Sequence, residues 1–152
     1  MDARLPLIVP VLAIAAGALL TVGRSGATVG PAQIRITDLQ ISDHVVRPPS
    51  GAAVGSIEIV RQRLYNPRLT RSQIGRSTLI CIYADRRERS CDGTYYLPRG
   101  EIVVSGAIQS RLLYTIPIVG GTGLYDDARG MLTVTSTHIR PRRELLLFRL
   151  PG

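Results

Sequence analysis

Val119-Gly120-Gly121-Thr122-Gly123-Leu124-Tyr125-Asp126-Asp127-Ala128-Arg129-Gly130 is the most specific stretch of this 152-residue chain, and its reading decides the fold. Three of its glycines, Gly120, Gly121 and Gly123, fall within four residues, relax the limits on φ and ψ, and let the backbone kink between two strands. The stretch is not a phosphate loop, because the Gly-Lys-Ser/Thr ending is missing. The dinucleotide spacing fails as well, since Asp126 stands where the third glycine belongs. What remains is a structural bend joining extended segments at 111–119 and 129–139.

Outward from the bend, apolar runs of strand length recur between turn signals, with no convincing amphipathic helix among them. Strands are expected at 33–41, 54–65, 74–83, 91–97, 101–108, 111–119, 129–139 and 144–150. The links carry turn chemistry: Arg47-Pro48-Pro49-Ser50-Gly51, Asn66-Pro67-Arg68, and Leu97-Pro98-Arg99-Gly100, where proline fixes φ and glycine accepts φ > 0. Short links between eight successive strands predict an antiparallel meander, either a sandwich or an up-and-down barrel, and closure into a barrel would remove the exposed edges. An interior of that size holds packed side chains or one small ligand. Leu79-Ile80-Cys81-Ile82 and Leu145-Leu146-Leu147-Phe148 are apolar on both faces, so a partner subunit is expected on the outer wall, in a dimer or trimer.

The glycine stretch closely resembles the GGTG-x-[YF]-x-x-ARG signature of the allene oxide cyclase and dirigent-like barrel superfamily. Upstream, Cys91-Asp92-Gly93-Thr94-Tyr95-Tyr96-Leu97-Pro98-Arg99-Gly100-Glu101-Ile102 resembles its T-x-x-LP-x-G-x-I hairpin, followed by Gly106. Ile74-Gly75 and Cys81 resemble the pattern that precedes this hairpin in bacterial members. The resemblance spans about residues 43 to 150 and implies an eight-stranded antiparallel barrel, often dimeric or trimeric, with a hydrophobic pocket and no cofactor. It leaves activity open, because members close rings, orient radicals or catalyse cycloadditions, mainly by limiting substrate conformers.

Composition narrows the alternatives. The sequence is 45% hydrophobic and 20% charged, which is globular rather than disordered. Its net charge of +8 comes from nineteen basic residues, all arginine. They are scattered except for Arg86, Arg87 and Arg89 and for Arg140, Arg142 and Arg143, both groups at expected turns and without the exposed aromatics that stack bases, so they read as solvated loops and not as a nucleic-acid site. His44 and His138 are the only histidines and lie far apart, so no metal site is expected. No serine sits in a nucleophile-elbow sequence.

Two features bear on compartment. Leu5 to Gly23 carries no charge, with Arg4 before it and Arg24 after it. This apolar segment, expected to be helical, reads as a signal peptide cleaved after Ala27, as a retained anchor that tethers the chain to a membrane, or as a lid helix over a cytoplasmic domain. Residues 1–27 are thus set apart from a barrel domain at 28–152. Cys81 and Cys91 flank a hairpin tip near Arg86, which puts them opposite each other on neighbouring strands, as a disulfide or as two buried thiols. A bridge would fit secretion and an oxidising compartment.

The expected function is a cofactor-independent cyclase that folds a linear hydrophobic precursor, such as a polyketide, inside the barrel; the alternative is a secreted dirigent-like or lipocalin-like carrier. Candidate catalytic residues are Glu58, Glu101 and Arg129. Candidate substrate-binding residues are Tyr65, Tyr95, Tyr96, Tyr114 and Tyr125, with Asp43 a further polar candidate. Gly120, Gly121, Thr122, Gly123 and Gly130 form the structural motif. Each candidate has a plainer reading: Arg129 as an ion-pair partner of Asp126, Asp127 or Glu101, Tyr125 packed on the bulge, and one of Tyr95 and Tyr96 necessarily pointing outward.

Overall fold

The computed structural model describes residues 32–67, 69–109, 112–137 and 141–151. The apolar segment from Leu5 to Gly23, its expected helix and its cleavage site lie outside them. Eight strands follow one another in the chain: β1 (Ala32–Val46), β2 (Ile57–Asn66), β3 (Leu69–Tyr83), β4 (Arg89–Leu97), β5 (Gly100–Ile108), β6 (Leu113–Gly121), β7 (Gly130–Ser136) and β8 (Arg143–Leu150). Each pairs antiparallel with the next, and β1 closes on β8, giving an up-and-down barrel without free edges.

Side-chain alternation explains why this sequence closes. Along β4, Arg89, Cys91, Gly93 and Tyr95 are buried while Ser90 and Asp92 are exposed, and along β8 Glu144, Leu146 and Phe148 point inward. Register shifts in the β1–β2, β2–β3 and β5–β6 pairings bend the wall. At Ile41 the β1–β2 register slips by one residue, and at Val119 the β5–β6 register does the same, so that Val103 faces Gly120 and Val104 faces Ile118. The first bulge lets β1 continue to Val46, five residues past its expected end, pairing with the start of β2.

The glycine stretch forms the β6–β7 connection. Its centre is one 3-10 turn, Gly123–Tyr125, packed on the β4–β5 reversal, where the Leu124 N–H donates to the Arg99 carbonyl at 2.8 Å. Gly123 has φ of 63°, a left-handed conformation that disfavours side chains. The Thr122 hydroxyl accepts the Glu101 backbone N–H at 3.2 Å, and the Thr122 N–H donates back to the Glu101 carbonyl at 2.9 Å. The signature therefore joins two hairpins at the end of the barrel where the strand passes from Leu97 to Gly100 and where β1 begins.

Candidate functional site

The barrel interior divides into two halves of different chemistry. Towards the glycine-loop end it is filled with Ile36, Leu64, Ile102, Val104, Ile116, Ile118, Leu132, Leu146 and Phe148, all essentially inaccessible. Tyr95 stands among them edge-on to Phe148, with ring centroids 5.1 Å apart and planes at 85°. Of the two expectations for the interior, packed side chains or a small ligand, this half meets the first: it is solid, where the family resemblance implied a hydrophobic pocket.

Towards the other end, where β1 joins β2, β3 joins β4 and β7 joins β8, the inward positions become polar. Glu58 on β2 meets Arg89 on β4 at 3.2 Å, both buried. The Tyr83 hydroxyl donates to the same Glu58 oxygen, Oε2, at 2.8 Å, and Arg89 Nη1 reaches the Tyr83 hydroxyl at 3.5 Å. On the opposite wall, Glu144 of β8 accepts Gln62 Nε2 at 2.8 Å through one carboxylate oxygen. Its other oxygen accepts the Ser136 hydroxyl and pairs with Arg142 Nε at 3.2 Å. Ser77 completes the chain by donating to Gln62 Oε1 at 2.7 Å. A carboxylate with donors on both oxygens is well satisfied, which offsets the cost of its burial.

Opposite Glu144 in the β1–β8 register, Asp38 Oδ1 accepts the Glu144 backbone N–H at 3.0 Å. Burial first, and then the neighbouring Glu144 charge, push the Asp38 pKa up to about 9, so that it is a neutral acid at pH 7. Burial also raises the phenol pKa values of Tyr114 and Tyr95 well above their usual range. Asp38 Oδ2 and Arg89 Nε are buried side-chain atoms with no hydrogen-bond partner among the described residues.

Between the two clusters lies a cavity of about 20 Å³, lined by Glu58, Gln62, Cys81, Arg89, Tyr114, Arg142 and Glu144 among others. It holds roughly one water molecule. Cys81 and Cys91 face each other in register on β3 and β4, both pointing inward, and are joined in a disulfide that forms part of this wall. No three His, Cys, Asp or Glu side chains among the described residues are grouped to hold a metal ion.

The candidates named from sequence separate by position. Glu58 and Tyr114 border the cavity. Tyr95 is buried in the packed half instead. Tyr96 faces outward, beneath the Arg76 guanidinium at 4.7 Å from its ring centroid. Tyr125, Glu101 and Arg129 belong to the glycine-loop end, and Arg129 is exposed, its guanidinium bonded to the adjacent Ala128 carbonyl at 2.9 Å. Tyr65 is half-buried near that end of β2, paired with Thr37, and Asp43 is exposed beyond the β1 bulge.

Sequence reasoning missed Asp38, Gln62, Ser77, Arg89, Arg142 and Glu144. Arg89 in particular was grouped with Arg86 and Arg87 as a solvated turn. Its correct reading lay in its phase: it is two residues before Cys91 and therefore on the same, inward face of β4. Glu144, two residues before Leu146 and four before Phe148, carried the same signal.

The barrel fold recurs in known proteins. The barrel is similar to a pyocyanin demethylase (22% identity, 76% of this chain and 98% of that one covered, TM-score 0.64). It is similar also to a pterocarpan synthase dirigent protein (16% identity, 80% and 88% covered, TM-score 0.63). A third similar structure is AbnU, an exo-specific intermolecular Diels-Alderase (15% identity, 81% and 99% covered, TM-score 0.65). No family model and no curated protein matches the sequence. These similarities show a closed-barrel fold shared with dirigent and Diels-Alderase structures, the fold that the glycine signature implied.

Proposed function

We propose that this chain is a cofactor-independent cyclase that takes a mostly apolar, linear natural-product precursor into the polar end of the barrel and promotes its ring closure. The observation that carries this reading is the one-ended interior: a mostly buried, interconnected set of charges and hydrogen-bond groups above a packed apolar floor. Such a site orients a head group in one way and supplies fixed dipoles where charge shifts during bond formation. Ring closure by cycloaddition is an isomerisation within one molecule: two new σ bonds form at the expense of π bonds, with no leaving group and no redox partner. Glu58, Arg89, Tyr114 and Glu144 are the residues assigned to it. The similar structures that are cyclases support the reading through fold alone.

A second reading, a barrel that holds or orients a lipophilic ligand without chemistry, is favoured by the small cavity. A substrate enters only if side chains at the mouth, such as the half-buried Tyr114 and Arg142, move aside. The Cys81–Cys91 disulfide supports an extracytoplasmic location for either function. Val46, Ile57, Ile80 and Ile82, exposed side by side on the outer wall of β1 to β3, support a homo-oligomer.

The test is incubation of the full chain with a panel of linear polyenes carrying a diene and an activated alkene, followed by chiral chromatography. The cyclase reading expects one stereoisomer to accumulate faster than in buffer. Binding with product formed at the buffer rate and isomer ratio would select the carrier, and absence of binding would remove both.

A further inference from the structure

Resting on the reading of this cavity as the ligand site, we propose that the ligand's head group is a neutral carbonyl, and that the Nε–H of Arg89 is the donor to its oxygen. Three observations carry this.

The first is the unused donor. Arg89 is 8% exposed and lines the cavity, and its guanidinium is anchored on one side only, through Nη1 to Glu58 Oε2 at 3.2 Å and to the Tyr83 hydroxyl at 3.5 Å. Its Nε has no acceptor among the described residues. A buried guanidinium N–H without an acceptor is costly, so the site is built to gain when an acceptor arrives. The second is size. A cavity of about 20 Å³ accommodates one oxygen atom and excludes a bulky or strongly hydrated head group. The third is charge balance. Among the described residues Glu58 contacts Arg89 and Glu144 contacts Arg142, each pair at 3.2 Å. A carboxylate or phosphate head would bring a negative charge against two buried carboxylates, and an ammonium head would meet the buried Arg89 guanidinium and the partly exposed one of Arg142. A ketone, enone or amide oxygen adds no charge and accepts the free N–H.

The chemical consequence follows directly. A cationic donor on the carbonyl of a conjugated alkene withdraws electron density from that alkene and makes it a better partner for a diene, with no proton transferred. Arg89 would thus both fix the head group and activate the reacting bond.

The experiment uses the full chain and three ligands built on one linear conjugated diene, ending in a methyl ketone, a carboxylate or a methyl group. Affinities are read by titration calorimetry, and the ketone's absorption by difference spectroscopy. The ketone is expected to bind about tenfold or more tightly than the other two, and its absorption band to shift to the red on binding. Arg89→Lys, which retains the charge opposite Glu58 without the Nε–H fork, is expected to remove both the ketone's advantage and the red shift. If the hydrocarbon or the carboxylate binds as tightly as the ketone, or if Arg89→Lys keeps the red shift, the carbonyl assignment is wrong while ligand binding in the barrel stands. If none of the three binds, the ligand site itself is misplaced and the proposed function falls with it. The comparison of ligands on the unaltered chain decides the matter even where Arg89→Lys does not fold.

Discussion

Asp38 and Glu144 lie directly opposite each other across the seam where β1 closes on β8, and the Asp38 carboxyl accepts the Glu144 backbone N–H at 3.0 Å. The seam that completes the barrel is therefore also where a neutral acid is held beside a carboxylate. Burial and that neighbour raise the Asp38 pKa from 3.8 to about 9. Between those values the folded chain binds a proton at Asp38 that the unfolded chain has lost. Stability from this group is thus complete below about pH 4 and declines as pH rises towards 9, with a slope of at most about 1.4 kcal/mol per pH unit. Asp38→Asn keeps a neutral acceptor for the Glu144 N–H and cannot ionise. Urea unfolding at about pH 5 and about pH 8 is expected to show the native chain losing stability with rising pH and Asp38→Asn losing clearly less. Parallel losses in the two proteins would mean that Asp38 is ionised in the fold.

The adjacent glycines of the signature make opposite predictions. A Cβ on Gly121 would overlap the Tyr125 carbonyl oxygen and lie 2.6 Å from that of Glu101, both rigid backbone atoms. A Cβ on Gly120 meets nothing closer than Arg129 Nη1 at 3.9 Å. Gly121→Ala is expected to cost about 3 kcal/mol or more, and Gly120→Ala within about 1 kcal/mol of zero, in denaturant midpoints. Equal effects would contradict the packing of the β6–β7 connection against β5.

How much of this was legible in the sequence depends on what each signal reports. Turn residues such as Pro98 and Gly100 and the alternation along β4 and β8 report local backbone geometry, and they gave eight strands in the right order. The Cys81–Cys91 pairing followed from the hairpin between them. The site was harder because its members are distant: Gln62 and Glu144, in contact at 2.8 Å, are separated by 82 positions in sequence, and only closure brings them together. Tyrosines were weighted as ligand-binding groups because they are large and amphipathic, yet Tyr95 serves as packing and Tyr96 stacks on an outer arginine. Phase was the better guide. Charged residues in step with buried neighbours, Arg89 with Cys91 and Glu144 with Leu146, mark the polar end, whereas Arg129 and Glu101 mark a loop that holds two hairpins together.

The disulfide joins strands already paired in register, and its two cysteines are ten residues apart. A loop that short restricts the unfolded chain modestly, and opening it is expected to cost about 2 to 3 kcal/mol by the loop-entropy relation. Because Cys81 lines the cavity, reduction also replaces one inner-wall bridge by two thiols beside Arg89 and Glu58. Denaturant midpoints with and without reductant should therefore differ in the native chain and coincide in a Cys81→Ala/Cys91→Ala double variant. A native chain indifferent to reductant, with its thiols shown to be free, would remove the bridge from the stability of the fold.

The Glu58–Arg89 pair offers the sharpest contrast between the two ends of the barrel. Glu58→Ala leaves the buried Arg89 guanidinium without its carboxylate and is expected to destabilise by about 3 to 5 kcal/mol. Adding Arg89→Met to it removes the stranded charge and should recover much of that loss, since an apolar pair of similar volume often replaces a buried ion pair at little cost. Arg129→Ala, at the glycine-loop end, removes an exposed side chain whose guanidinium is bonded to the neighbouring Ala128 carbonyl and is expected to change stability by less than about 0.5 kcal/mol. A thermal or urea series on the native chain, Glu58→Ala, Arg89→Met and the double variant gives the coupling between positions 58 and 89 directly, with Arg129→Ala measured alongside. Additive losses at those two positions, or a large loss at Arg129, would relocate the charged centre of the molecule from the interior to the loop.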